Sequence, residues 1–159
     1  MVVVAVCGMR REGHVGLTLA LVGSALYALN LVSSTYLLML VASAALSALP
    51  DIDLRLEIPH RKYTHNVFVA SALSLGVGVV AWHLGFDFWM SFLPCFLGFT
   101  CHIAGDLMTY MKFPPLWPVV KREVSLGLFR SDSSLANGAF FASGLLVLVA
   151  YTLKMAYAA

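Results

Sequence analysis

The sequence predicts an all-α protein embedded in a membrane, a single domain over residues 1–159 with about five transmembrane helices. Three observations favour this fold class. The chain is 60% hydrophobic and only 11% charged, whereas soluble domains carry about 25% charged residues. The charges are also unevenly distributed, because residues 15–50 and 133–153 contain no Asp, Glu, Lys, Arg or His. Roughly 20 apolar residues are enough to cross the hydrocarbon core of a bilayer, which is about 30 Å thick.

The first uncharged stretch, residues 15–50, is long enough for two short helices. The polar cluster near its middle, NLVSST at residues 30–35, predicts a tight turn. This turn places the first helix at about 15–30 and the second at about 35–49. Pro50 predicts the end of the second helix, because proline lacks a backbone N–H and its ring clashes with the preceding turn.

Three more helices follow from the remaining apolar stretches. The third is predicted at about 66–85, with Gly85 as its C-terminal cap. The fourth covers about 88–109 and the fifth about 138–157. The segment between these last two is polar and rich in Pro and Ser, which predicts that it lies at the membrane surface.

The basic residues predict the orientation of the chain. With five helices, every Lys and Arg except Lys154 falls on one side of the membrane, and cytoplasmic loops carry the excess of positive charge. The N-terminus is therefore predicted to be cytoplasmic and the C-terminus external. A net charge of +2 is too small and too dispersed for nucleic-acid binding. The three cysteines form no CxxC pair, so neither a redox motif nor a zinc ribbon is indicated.

Inside the fourth predicted helix, His102 and Asp106 have the spacing i, i+4. This spacing puts both side chains on one helix face, and Thr109 continues the same stripe. An Asp within a transmembrane segment costs roughly 2.5–3.5 kcal/mol on insertion scales. Ligation of a divalent metal ion would offset that cost, since imidazole and carboxylate suit zinc or manganese. A hydrogen-bonded His–Asp pair that only joins helices is the structural alternative.

Further His and Asp residues lie at the cytoplasmic ends of the predicted helices. The candidate metal ligands are His14, Asp51, Asp53, His60, His65, His102 and Asp106. One catalytic zinc takes only three or four ligands from the protein, so this set predicts two or more ions. Sites of this composition activate water for attack on phosphoryl groups. Arg61 and Lys62 lie beside the candidate ligands, where they would hold an anionic substrate.

The order of these motifs resembles the LexA-regulated, inner-membrane metal-dependent hydrolase family, often called YdjM-like. The resemblance rests on the early His14, PDID (50–53), HRKYTH (60–65), HIAGDLMT (102–109) and PLWP (115–118). A more distant similarity is to the zinc-dependent phospholipase C group. The sequence departs from the family pattern at Lys62, where Gly is usual, and at Asn66, where Ser is usual. These departures flank the candidate ligands.

The resemblance implies a multi-pass hydrolase in the cytoplasmic membrane of a prokaryote. The expected reaction is hydrolysis of a phosphate ester of a membrane lipid or isoprenoid by a metal-activated water. The expected catalytic residues are Asp53 or Asp106 as the base and Arg61 as the group that neutralises charge. Lys62 and Thr109 are expected to contact the substrate. Two alternatives stay open: a divalent metal-ion transporter that uses His102 and Asp106, and a membrane protein without catalytic activity.

Overall fold

A computed structural model describes residues 8–51 and 64–158 of the chain, and the part described is helical, as predicted. Within these ranges there are two isolated β-bridges and no strand. The five helices are α1 (Arg11–Ala28), α2 (Ser34–Leu46), α3 (Val67–His83), α4 (Phe88–Met108) and α5 (Ser134–Ala158).

α4 is the central helix of the bundle, since it packs against α1, α2 and α3, while α1 lies along α5. Two glycines allow the backbones of α1 and α5 to approach closely. A Cβ atom at Gly16 would overlap the backbone of Phe140, and one at Gly144 would overlap the backbone of Gly16. Small residues at helix contacts are typical of membrane proteins, where close packing drives association.

Two helices begin earlier than hydropathy predicts. α1 begins at Arg11 and not near residue 15, so its first turn is polar and His14 lies inside the helix. α5 begins at Ser134 and not near residue 138, and the hydroxyl of Ser133 accepts a hydrogen bond from the backbone N–H of Ala136. This is an N-cap arrangement, which satisfies one of the free donors at a helix start. Apolar stretches mark the hydrophobic span of such helices and omit their polar first turns.

The prediction that α2 continues to residue 49 and is ended by Pro50 is wrong, because the helix ends at Leu46. Beyond this point the Ser47 hydroxyl donates to the carbonyl of Ala44. The carbonyl of Ser47 lies 2.7 Å from Nδ1 of His102 in α4. The end of α2 is thus set by a contact with another helix.

The boundaries of α3 and α4 match local capping signals. The side chain of Asn66 accepts from the N–H of Val69, and that of Asp87 accepts from the N–H of Met90. Gly85 follows α3 with φ +85°, and the N–H of Phe86 donates to the carbonyl of Ala81. Glycine adopts this left-handed conformation without a steric penalty, so the predicted cap at Gly85 is confirmed.

Two of the described helices are long and apolar enough to cross a membrane, over Phe88–Met108 and Ser134–Tyr157. The helices Ser34–Leu46 and Val67–His83 are apolar but shorter. The 13 residues of α2 rise only about 20 Å, against the ~30 Å hydrocarbon core. Residues 8–51 and 64–158 therefore contain five helices, while a bundle in which all five span the membrane stays a prediction.

The connecting segment between α4 and α5, residues 109–133, folds back on itself through backbone pairing. The N–H and carbonyl of Phe113 pair with those of Val124 at 3.3 and 3.0 Å, and Thr109 forms a parallel bridge with Phe129. The side chain of Phe113 is buried, in a cluster with Ala70, Phe99 and Ile103. The segment covers the end of α4 where the candidate ligands lie.

Candidate metal centre

Five of the seven predicted ligands lie in the described part of the chain, and the fold brings them together from four helices. His14 belongs to α1, Asp51 follows α2, His65 precedes α3, and His102 and Asp106 belong to α4. The remaining predicted site residues lie outside the described residues; they are Asp53, His60, Arg61 and Lys62.

Four side chains form the core of the site: Asp51, His65, His102 and Asp106. Each offers one ligand atom, and these four atoms lie within 4.8 Å of one another. The Nε2 atoms of His65 and His102 are 2.9 Å apart. Oδ2 of Asp106 lies 3.2 Å from Nε2 of His65 and 3.6 Å from Nε2 of His102. Oδ1 of Asp51 lies 3.6 and 3.5 Å from the same two nitrogens.

The Nδ1 atoms of His65 and His102 each lie within hydrogen-bonding distance of a neighbouring group. Nδ1 of His102 donates to the carbonyl of Ser47 at 2.7 Å. Because a carbonyl can only accept, the proton is assigned to Nδ1 and the lone pair of Nε2 faces the carboxylates. Nδ1 of His65 lies 2.8 Å from the Thr64 hydroxyl. Histidines that ligate metals are oriented in this way, by a partner on the other ring nitrogen.

The charge of this cluster suits a bound cation. Asp106 and the three histidines are fully buried, and the Asp51 side chain is 12% exposed. Burial would raise the pKa of Asp51, but the imidazoles of His65, His102 and His14 outweigh it, so its pKa lies below the usual range. A divalent cation balances two carboxylates, which would otherwise repel each other in a medium of low dielectric constant. Two Asp and two His also match the donor set that zinc or manganese takes.

His14 lies beside the four-residue core. Its ring stacks on that of His102 with centroids 3.8 Å apart, and its Nε2 lies 3.5 Å from Oδ1 of Asp106. Among the residues that the structure describes, neither ring nitrogen of His14 has a hydrogen-bond partner, and neither does Oδ1 of Asp51. Buried polar atoms are rarely left without partners in folded proteins. His14 is thus available as a further ligand on the other side of Asp106.

The sequence alone did not predict the groups that hold Asp106. The backbone N–H of Met9 donates to its Oδ1 at 3.1 Å, and the next N–H, that of Arg10, donates to Oδ1 of Asn137 at 3.0 Å. Nδ2 of Asn137 donates to the carbonyls of Ser131 and Ser133. Asn137 is 1% exposed. A carboxamide in an otherwise apolar helix is the signal that could have identified it.

Thr109 and Phe113 border the cluster. The hydroxyl of Thr109 donates to the backbone carbonyl of Asp106 at 2.8 Å, and its own carbonyl accepts from Ser125. These bonds fix the end of α4, while contact of Thr109 with a substrate stays a prediction. The ring of Phe113 lies edge-on to His65, with centroids 6.1 Å apart.

Comparison with known families identifies the family of this chain. Residues 9–159 match the YdjM inner membrane protein family. The chain belongs to this family. The predicted YdjM-like resemblance is confirmed, and the match extends over α5 as well as over the motifs. No match is found among curated proteins or among solved structures. The likeness to the zinc-dependent phospholipase C group stays a prediction.

This YdjM family member is therefore an inner membrane protein with a His/Asp cluster suited to a metal ion. The membrane assignment agrees with its two long apolar helices and with the predicted cytoplasmic membrane. The cluster agrees with the prediction of a divalent metal. The number of spans, the orientation of the termini and the identity of the metal stay predictions.

Proposed function

We propose that the chain is a membrane-bound metal-dependent hydrolase that acts on phosphate esters of membrane lipids or isoprenoids at the cytoplasmic face. The observation that carries this proposal is the meeting of Asp51, His65, His102 and Asp106 within 4.8 Å in a buried space. Two carboxylates and two Nε2 atoms converge there, and hydrogen bonds to Ser47 and Thr64 orient the imidazoles. Imidazole nitrogens and carboxylate oxygens are donors that zinc takes, and hydrogen bonds to the other ring nitrogen orient such ligands.

The proposed resident ion is zinc, with manganese as the alternative. Asp51, His65, His102 and Asp106 would hold it, and a second ion would use His14 with the predicted ligands Asp53 and His60. When bound, such ions supply an activated water and an electrophile for the phosphoryl oxygens.

The protein's own groups would position the substrate and move the proton. Asp106 keeps one carboxylate oxygen on the backbone N–H of Met9, so its orientation is fixed before substrate binds. Asp106 or Asp53 is proposed as the base that accepts a proton from the attacking water. Arg61 would neutralise charge on the phosphate, and Lys62 and Thr109 would contact the substrate.

The position of the site along α4 favours a lipid substrate. His102 lies six residues before the end of α4 at Met108, which places it about 10 Å inside the helix. Acyl or isoprenoid chains can reach this depth. The proposed topology has five spans with the N-terminus in the cytoplasm, and its support is the clustering of Lys and Arg on one side of the predicted helices.

The proposal is tested on protein purified in detergent, by metal analysis and by phosphate release from phospholipids and polyprenyl phosphates. We expect stoichiometric zinc or manganese and phosphate release in the wild type. Asp106→Asn and His102→Gln should lose both. His83→Gln is the matched control, because His83 is exposed and bonds only locally, to the carbonyl of Val79 within α3.

Wild-type protein without bound metal, or Asp106→Asn with unchanged activity, would overturn the hydrolase proposal. Uptake of metal into sealed vesicles that depends on His102 and Asp106, without phosphate release, would favour the transporter instead.

A further inference from the structure

We propose that the connecting segment docks on the headgroup layer of an anionic lipid leaflet through its tip loop, residues 114–123. The segment joins the C-terminal end of α4 to the N-terminal end of α5. These are the two described helices that are long and apolar enough to cross a membrane. Consecutive spans begin and end at the same membrane face, so the segment lies at the bilayer surface.

The base of the tip loop packs next to the candidate metal centre. The bridge between Phe113 and Val124 closes it, and the buried ring of Phe113 lies against His65. The carbonyl of Pro115 accepts a hydrogen bond from the N–H of Val67, at the start of α3, at 3.0 Å. The side chains of the tip therefore keep a defined position next to the candidate site.

The tip loop exposes apolar and basic side chains side by side. Val119 is 73% exposed, and Leu116 and Val120 are also exposed. Lys121 and Arg122 follow directly and are exposed as well, and the exposed Glu123 after them leaves the tip loop with a net positive charge. Exposed apolar side chains grouped in this way mark interaction surfaces. Apolar groups beside basic ones are typical of segments that lie in the membrane interface.

The positive charge of the tip loop favours an anionic lipid leaflet as its partner. The adjacent Lys121 and Arg122 suit the negative surface potential of phosphatidylglycerol or similar lipids, while the valines enter the boundary of the acyl chains. Of the other two cations in the segment, Arg130 is paired with Asp132 at 3.1 Å, and Lys112 is exposed just before the tip loop. Docking of the tip would hold the neighbouring candidate metal centre close to the phosphate groups of the leaflet.

The test uses the full chain in nanodiscs with one copy per disc, made of phosphatidylcholine alone or mixed with phosphatidylglycerol. The native cysteines are replaced by alanine, and an environment-sensitive fluorophore is attached to Val119→Cys. In discs with phosphatidylglycerol we expect emission shifted to the blue and reduced quenching by iodide.

Neutralising the basic pair, with Lys121→Gln and Arg122→Gln, should lower the ratio of docked to undocked protein about fivefold for each charge removed. Lys154→Gln is the matched control, because it removes a cation near the opposite end of α5 and should leave the signal unchanged.

Equal quenching in both lipid mixtures, or no effect of the Lys121/Arg122 variant, would overturn the proposal. Protection that requires two copies per disc would also overturn it, by assigning the surface to a second copy of this chain. If Val119→Cys does not fold, Leu116→Cys carries the label instead. The readout needs no enzymatic activity, so it stands or fails separately from the hydrolase proposal.

Discussion

His102 shows how much of the site one residue can organise. Its Nδ1 donates to the carbonyl at the end of α2, its Nε2 faces both carboxylates, and its ring carries the stacked ring of His14. The i, i+4 spacing predicted that His102 shares a face with Asp106, and Nε2 of His102 lies 3.6 Å from Oδ2 of Asp106. Spacing within one helix is a local property, so the sequence could predict it. The contacts with Ser47 and His14 depend on other helices and could not be read from it.

Asn137 is expected to support the candidate metal centre indirectly, through the backbone that contacts Asp106. Asn137→Ala removes the acceptor for the N–H of Arg10, which is adjacent to the Met9 N–H on Asp106. We expect metal affinity to fall about 10–100-fold, the usual effect of losing an outer-shell partner. Stability should also fall, by about 1–3 kcal/mol, because a buried donor is left unsatisfied. Metal titration and thermal unfolding measure the two effects.

The control for Asn137→Ala is Thr152→Ala, which removes an exposed hydroxyl that bonds only within α5. It should leave metal affinity unchanged. Asn137→Ala with wild-type metal affinity would show that Asn137 only stabilises the fold.

At the scale of the helices, ends marked by capping residues were predictable and ends set by tertiary contacts were not. Gly85 was predicted as a cap because a glycine at the end of an apolar stretch is a common helix terminator, and its φ of +85° confirms this. The early start of α1 was missed, since Arg11 and Glu12 interrupt the apolar pattern. The end of α2 was predicted from Pro50, but it occurs at Leu46, next to the Ser47 carbonyl that accepts from His102.

Gly98 sets the spacing between α2 and α4. A Cβ atom at Gly98 would lie 2.5 Å from the carbonyl oxygen of Ser43 and 3.1 Å from the nitrogen of Ser47. Gly98→Ala should push α2 away and break the bond from His102 to Ser47. We expect a loss of about 1–3 kcal/mol in stability from overpacking. Metal affinity should fall about 10–100-fold as His102 loses its outer partner.

Gly76→Ala is the matched control in α3, since a Cβ at this position meets nothing within 4 Å. Its stability should be unchanged or higher by up to about 1 kcal/mol. Equal metal affinity in the Gly98 and Gly76 variants would contradict the role assigned to the α2–α4 contact.

At the scale of the whole molecule, the metal centre joins elements that are far apart in the sequence. Asp51 and Asp106, together with the histidines from α1 and the start of α3, meet in the interior of the bundle. Without a cation, buried carboxylates weaken a fold. A bound ion at this place is therefore expected to stabilise the protein as a whole.

Removal of metal should lower the unfolding temperature of the wild type. An ion present at 100 times its Kd contributes about 2.7 kcal/mol, which corresponds to roughly 5–10 °C for a chain of this length. Treatment with EDTA should produce this shift in the wild type and in His83→Gln, and none in Asp106→Asn. Unfolding temperatures measured in detergent with and without EDTA test it, and a wild-type protein insensitive to EDTA would contradict it.

The sequence by itself determined the membrane-protein class, the five helices found in the described part of the chain and the identity of the candidate ligands. Hydropathy and the positions of His and Asp are properties of the chain. Charged groups are costly inside the hydrocarbon core, so the few that occur there mark candidate functional sites. Only the tertiary structure decided which ligands meet. It places Asp51, His65, His102 and Asp106 in one core, with His14 stacked beside them. The tertiary structure also places the N–H of Met9 on Asp106 and the N–H of Arg10 on Asn137. These contacts depend on packing between helices, so no local sequence pattern predicts them.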